Sequence, residues 1–280
     1  MTVQDDNTQL FYQMISRFLA QEADPYYDDW EAAGQIPRDF WLKLGEAGML
    51  AIDLAEEYGG SGADFGITQL VIEEISRRGF GGLASAYNIH ANIVIPYVEH
   101  LVSAAQKQQW LPRMATGEVM SAIAMTEPGA GSDLANIKTR AVRVADGWQL
   151  NGSKIFITNG MIADMVIVCA KTDPAAGAKG VSLFLVNSAL PGFSRGKPIQ
   201  KIGQHASDTA ELFFQDMLLP ADALLGEEGA GFAYLMQELP RERLGVGAQA
   251  LGAMEGALAL TLDYVKQRTA FGQSIASFQN

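Results

Sequence analysis

Residues 124–160, AMTEPGAGSDLANIKTRAVRVADGWQLNGSKIFITNG, decide how this chain is to be read. A polar loop broken by glycines, residues 126–133, leads into two stretches of alternating apolar and polar residues. Alternation of that kind marks half-buried strands, and Asp146-Gly147 and Asn151-Gly152 supply turn signals. The second stretch ends in Phe156, Ile157 and Thr158. Side chains two apart in a strand point to the same side, so an aromatic face and a hydroxyl lie together. That pairing suits a flat, partly polar, redox-active ring system. The loop before it offers the hydroxyls of Thr126 and Ser132, with Gly129 and Gly131 allowing close backbone approach.

Further runs of the same kind surround this segment. MVIVCA, GVSLFLV and TAELFFQDMLLP are short, β-branched and aromatic, and Pro191-Gly192 adds another turn. Upstream, the apolar residues Leu10, Phe11, Met14, Ile15, Phe18 and Leu19 recur at three- and four-residue steps, as an amphipathic helix requires. Pro37 suits the first turn of a helix through DFWLKLGEAG, and ITQLVIEEISRRG resumes helical spacing. Helical character returns after Gly226 and is expected to persist to Asn280. The fold class is therefore α+β. An all-α N-terminal domain (1–119) precedes an antiparallel, barrel- or sandwich-like β domain (120–226), followed by the start of a C-terminal helical bundle (227–280).

The 280 residues are 48% hydrophobic, enough for a sizeable core. A net charge of −12 argues against broad binding to nucleic acid or anionic membrane. Cys169 is the only cysteine, so no intramolecular disulfide forms, which fits a reducing compartment. The start, MTVQDDNTQL, lacks the basic and apolar regions of a signal peptide. No apolar run approaches a membrane span of about 20 residues. His90, His100 and His205 are scattered with no metal-ligand spacing, so no metal site is expected.

Three segments could carry chemistry, and each has a plain structural alternative. TEPGAGSD (126–133) reads as a ligand loop or as an ordinary turn; it is no dinucleotide fingerprint, because no G-x-G-x-x-G opens a helix in a βαβ unit. QELPRERLG (237–245) carries Glu238, Arg241, Glu242 and Arg243 close together, as either a solvated helix face or a site. YVKQRTAFGQSIASFQ (264–279) reads as an amphipathic helix followed by a turn at Gly272. Lys179, before GVSLFLV, is equally at home in a solvated turn.

Taken together, TEPGAGSD, KIFITNG and ELPRERL resemble the acyl-CoA dehydrogenase family, nearest its long-chain branch, and the likeness covers essentially the whole chain. The resemblance implies an FAD site formed by Ile123, Met125, Thr126, Gly131, Ser132, Phe156, Ile157 and Thr158. Arg268, Phe271 and Gln279 would reach the FAD of a neighbouring subunit. It implies acyl-CoA contacts at Ser132, Lys179 and Arg243, with Glu242 as catalytic base, since in the long-chain and isovaleryl branches the glutamate lies on this helix. The implied reaction is α,β-desaturation of a medium- to long-chain fatty acyl-CoA, with electrons passed to an electron-transfer flavoprotein. A homodimer or tetramer is implied, bacterial and cytoplasmic or in the mitochondrial matrix. So are further helices beyond Asn280, completing a four-helix bundle. Three positions depart from the family: Phe156 where many members carry tryptophan, Ala270 where some carry threonine, and Ala233 where the nearest branch carries tyrosine. An acyl-CoA oxidase or nitroalkane-oxidase-like enzyme shares these motifs, and a non-catalytic acyl-CoA- or flavin-binding module is the alternative of another class.

Overall fold

The computed structural model describes residues 6–278. The first part is a set of helices: α1 (Asp6–Glu22), α2 (Tyr27–Ala33), α3 (Arg38–Glu46), α4 (Phe65–Arg77), α5 (Gly81–Tyr87), α6 (Ile95–Leu101) and α7 (Ala104–Ala115). Of the stripe expected on α1, Ile15 and Leu19 are fully buried and Phe11 and Phe18 lean on the core, whereas Leu10 and Met14 face outward. The true buried face is thus narrower than the apolar pattern. Pro37 stands at the N-cap of α3, where its fixed φ costs nothing and its missing N–H is not needed. Asp64 caps α4 by accepting from Gly66 N–H, and Ser103 with Gln106 forms a capping box on α7.

Between α5 and α6 the chain runs as a π-helix, Asn88–Val94. Its wider turns shift the angular phase of every side chain that follows. His90 pins the segment. Its Nδ1 lies 2.8 Å from the Ser121 hydroxyl and its Nε2 3.0 Å from the Met114 carbonyl. A carbonyl only accepts, so Nε2 carries the proton and Nδ1 accepts from Ser121. Burial lowers this imidazole to about 4, so it stays neutral.

Eight strands then build one sheet: β1 (Ser121–Ala124), β2 (Arg140–Val144), β3 (Gly147–Thr158), β4 (Met165–Lys171), β5 (Val181–Asn187), β6 (Phe193–Arg195), β7 (Thr209–Pro220) and β8 (Leu224–Leu225). The order is β6-β7-β3-β2-β4-β5-β8, with β1 on β4. Most pairings are antiparallel, but β4 runs parallel to both β1 and β2, so the sheet is mixed. Both faces are covered. Ile167 and Cys169 of β4 join Tyr97, Leu111 and Leu235 in one core, while Val166, Val168 and Ala170 join Trp148, Phe184 and Phe214 in another. A strand buried on both sides needs apolar residues at every position, which explains the unbroken MVIVCA.

The chain closes with the long helix α8 (Gly231–Gln267), which lies along α4 through glycines. A Cβ at Gly252 would stand 2.2 Å from the Glu73 carbonyl oxygen, and one at Gly256 would stand 2.0 Å from that of Arg77. The near-absence of side chain lets the two backbones approach. Glu74 ties α4 to α1 by accepting from Tyr12 at 2.6 Å, and it pairs with Arg77 and Arg78. The expected helix through the last residues is not formed. Past Gln267 the chain makes the hairpin β9 (Thr269–Ala270) and β10 (Gln273–Ser274), then a short 3-10 turn, Ile275–Ser277. Phe271 and Gly272 both have positive φ there, and two adjacent left-handed residues turn the chain back on itself. Among the described residues, no helix is long and apolar enough to cross a membrane.

Candidate active site

The loop after β1 is anchored from below by a buried ion pair. Glu127 and Ala130 exchange backbone hydrogen bonds of 2.9 and 3.1 Å across Pro128-Gly129, making a tight turn. The Glu127 carboxylate accepts from the backbone N–H of Lys138 at 2.5 Å and of Thr139 at 2.9 Å. Lys154, 0% exposed, donates to Glu127 Oε1 at 2.9 Å and to the Met125 carbonyl at 2.8 Å. Burial alone would raise the Glu127 carboxyl, but these donors outweigh it and hold it below its ordinary value. Burial pulls the Lys154 ammonium down, with Glu127 opposing.

Lys154 also decides where Phe156 points. Strict alternation would send both to the same face, yet Lys154 is fully buried and Phe156 is 62% exposed. The register between β3 and β7 slips between Lys154 and Ile157, and Phe156 sits at φ 62°. This bulge turns the ring outward and returns Ile157 to the core. Thr158, half-buried, follows on the other side of Ile157. The Ile155 N–H donates to the Thr126 carbonyl at 2.9 Å, holding the loop against the bulge. The directions of Phe156 and Thr158 are thus set by a bulge rather than by the regular alternation expected from the sequence.

This region can hold a flavin-like group. Cβ atoms at Gly129 and Gly131 would meet nothing within 4 Å, so the loop backbone is open to a ligand. Among the described residues, the hydroxyls of Thr126, Ser132 and Thr158 have no hydrogen-bond partner in the protein. Phe156, on the same strand as Thr158, supplies an exposed ring face. Ile123 and Ile157 differ from their neighbours: both side chains are packed into the cores, so only their backbone could meet a ligand.

A cavity of about 280 Å³ opens beside the loop, and it gathers Met125, Gly131, Ser132, Glu242 and Arg243 of the expected site residues. Leu134, Leu235, Met236 and Leu239 make much of its wall apolar. Glu242 comes from α8 and is held in place by its neighbour in sequence. Arg241 pairs with Asp53 at 2.5 Å, donates to the Asn92 carbonyl at 3.1 Å and lies 4.5 Å from the Phe65 ring centre. With α8 fixed in rotation, Glu242 meets Tyr97 of α6, whose hydroxyl donates to Oε1 at 2.9 Å. Burial raises the Glu242 carboxyl above its ordinary value; the Tyr97 hydrogen bond and Arg243 pull the other way and Glu238 adds to the rise. Glu238 is not bare: its carboxylate meets His100 Nδ1 at 2.7 Å.

Other expected residues lie elsewhere. Lys179 is exposed in the 3-10 segment Pro174–Gly180, outside this cavity. Arg268 and Phe271 stand beyond the end of α8, where Phe271, 97% exposed, meets Phe278 edge to face at 6.1 Å. They do not join the loop of their own chain. Gln279 lies outside the described residues. Glu127, Lys154 and Tyr97 were not singled out from the sequence. A lysine inside a strand otherwise rich in apolar positions was the available signal for Lys154; Tyr97 offered none. Among the described residues, no group of three or more His, Cys, Asp or Glu is placed to hold a metal ion.

Comparison with known proteins gives consistent matches. Family models for acyl-CoA dehydrogenase match the chain in three parts: the N-terminal domain over residues 5–118, the middle domain over 122–217 and the C-terminal domain over 229–280. A mitochondrial long-chain specific acyl-CoA dehydrogenase of Rattus norvegicus is 46% identical over 272 residues, covering 96% of this chain and 63% of the relative. The chain thus spans somewhat under two thirds of that relative's length. The crystal structure of an acyl-CoA dehydrogenase from Geobacillus kaustophilus superposes with a TM-score of 0.94 at 48% identity, covering 99% of this chain and 73% of that one. A glutaryl-CoA dehydrogenase from Mycobacterium smegmatis, solved in complex with FADH2, gives a TM-score of 0.91 at 30% identity, covering 99% and 69%.

Proposed function

The chain belongs to the acyl-CoA dehydrogenase family, and from that premise we propose that its protein is an FAD-dependent enzyme desaturating a fatty acyl-CoA between Cα and Cβ. The long-chain relative supports a medium- to long-chain acyl group; the reading further takes the electrons to leave to an electron-transfer flavoprotein and the protein to work as a dimer or tetramer. The single observation that carries this reading is the shared cavity. One half-buried carboxylate, Glu242, faces a largely apolar space that borders the Ser132 loop.

Bound FAD would supply the hydride acceptor for the hydrogen leaving Cβ. Thr126, Ser132, Thr158 and Phe156 would hold it, with the backbones of Met125, Gly131, Ile123 and Ile157 alongside. The protein's own work is to take the α proton. A thioester α proton is a weak acid, so its base must be strong enough to accept it yet ionised at working pH. Burial raises Glu242 toward that range, and the apolar wall keeps water away from the developing negative charge. Leu235 and Leu239 would contact the acyl chain, and Arg243 would attract the anionic end of the coenzyme.

Glu242→Gln tests the assignment because it keeps shape and removes the base. With FAD bound, anaerobic addition of a long-chain acyl-CoA should bleach the wild-type flavin. The variant should bind the thioester and bleach at least about a thousandfold more slowly, the upper part of the usual range for general-base loss. Bleaching at the wild-type rate would remove Glu242 from the mechanism.

A further inference from the structure

The contact between α6 and α8 gives Glu242 a partner that the reaction itself does not require. Tyr97 is fully buried, lines the same cavity as Glu242 and directs its hydroxyl to Oε1 at 2.9 Å. Among the described residues, Oε2 has no hydrogen-bond partner. The two helices meet twice: one turn further along α6, His100 contacts Glu238, one turn back on α8. The π-helix preceding α6, pinned by His90, sets the rotation at which Tyr97 meets α8. We propose that Tyr97 is the positioning residue of the Glu242 base, its phenol fixing one carboxylate oxygen so that the other is presented to the cavity.

Two consequences follow from the chemistry. A carboxylate on a flexible glutamate stem samples several rotamers, and a hydrogen bond to one oxygen selects among them before substrate arrives. The same bond favours the charged form, because a phenol donates more strongly to a carboxylate than to a carboxylic acid. It therefore limits the rise that burial imposes. The other charged and titratable groups around the site act from fixed places. Glu238 and Arg243 lie on α8, His100 on α6 and Cys169 on β4, while Arg241 is paired with Asp53. The Cys169 thiol, raised by burial to about 12, stays neutral. His100, raised by its bond to Glu238, is the same in all Tyr97 variants and bears on the Glu242 titration equally in each.

This inference rests on the proposed role of Glu242, but its test does not need turnover. In the 280-residue chain carrying 13C at glutamate Cδ, the Glu242 resonance is identified by its loss in E242Q and titrated. Tyr97→Phe should raise its midpoint by about one pH unit, as expected for losing a hydrogen bond to a charged group. Site-specific 3-fluorotyrosine at position 97, a more acidic and stronger donor, should lower it. Opposite signs from a lost donor and a stronger one cannot come from packing alone. If Tyr97→Phe does not fold, the fluorotyrosine arm decides. A midpoint unmoved by these replacements would overturn the proposal. In the flavin-loaded protein, the acid limb of the bleaching rate should shift in the same directions. Titration shifts without any bleaching would instead retire the functional reading and leave the Tyr97–Glu242 coupling standing.

Discussion

At the scale of single residues, one ion pair among the described residues has both side chains buried. Lys154 and Glu127 are both buried, and between them they fix the Met125 carbonyl and the turn that presents Ser132. A buried pair gains little over apolar residues of the same volume, but removing one partner leaves the other uncompensated. Lys154→Met should therefore cost about 3 kcal/mol of unfolding free energy in urea. The double variant Lys154→Met/Glu127→Gln should cost less than the sum of the two single changes. A loss under about 0.5 kcal/mol for Lys154→Met, the size of an ordinary surface change, would mean the pair anchors nothing. These residues also show what the sequence did and did not disclose. The loop 126–133 and the Phe156–Thr158 pair were visible because glycines, hydroxyls and alternation leave local marks. The Lys154–Glu127 and Tyr97–Glu242 contacts join residues 27 and 145 apart in sequence, and no local pattern encodes them.

At the scale of elements, α8 contrasts two glycines on one helix. Replacing a glycine by alanine in an exposed helix interior gains up to about 1 kcal/mol. At Gly247 an added Cβ would meet nothing within 4 Å, so Gly247→Ala should raise the thermal midpoint. At Gly252 the same atom would stand 2.2 Å from the Glu73 carbonyl, a backbone group that cannot swing aside. There overpacking should win, with Gly252→Ala costing about 1–3 kcal/mol. Thermal melts of the two variants should move in opposite directions; a shared sign would refute close α4–α8 packing. Element types were legible where the pattern is sustained, as in the helical spacing of α4 and the unbroken apolar run of β4. The end of α8 was legible only in part: the turn expected at Gly272 is present, but the helical character expected after it is not. TAFGQSIASF has enough apolar residues to suggest helix, but Phe271 and Gly272 adopt positive φ and reverse the chain. The β3 bulge was equally hidden, because its cause is the burial of Lys154 rather than any residue that breaks strands.

At the scale of the whole molecule, the two sides of α8 are unequally covered. One side meets α4, α5 and the π-helix, with Gly245, Gly252 and Gly256 buried. The other exposes Leu251, Met254, Leu258 and Leu262. Leu251, Met254 and Leu258 fall at i, i+3 and i+7, so they form one stripe rather than scattered apolar residues. A stripe of this length in contact with water favours association. The net charge of −12 works against it through repulsion between copies. The two effects can be separated. Sedimentation velocity of the 280-residue chain should show concentration-dependent association that strengthens with salt, because salt screens the repulsion and leaves apolar burial intact. Met254→Lys/Leu258→Lys reduces the negative charge, so electrostatics alone predicts more association in this variant. Loss of the apolar stripe predicts less, and we expect the variant to sediment as a monomer. A wild-type chain that stays monomeric at high salt, or a double-lysine variant that associates more tightly, would show that the outer face of α8 is not the adhesive surface.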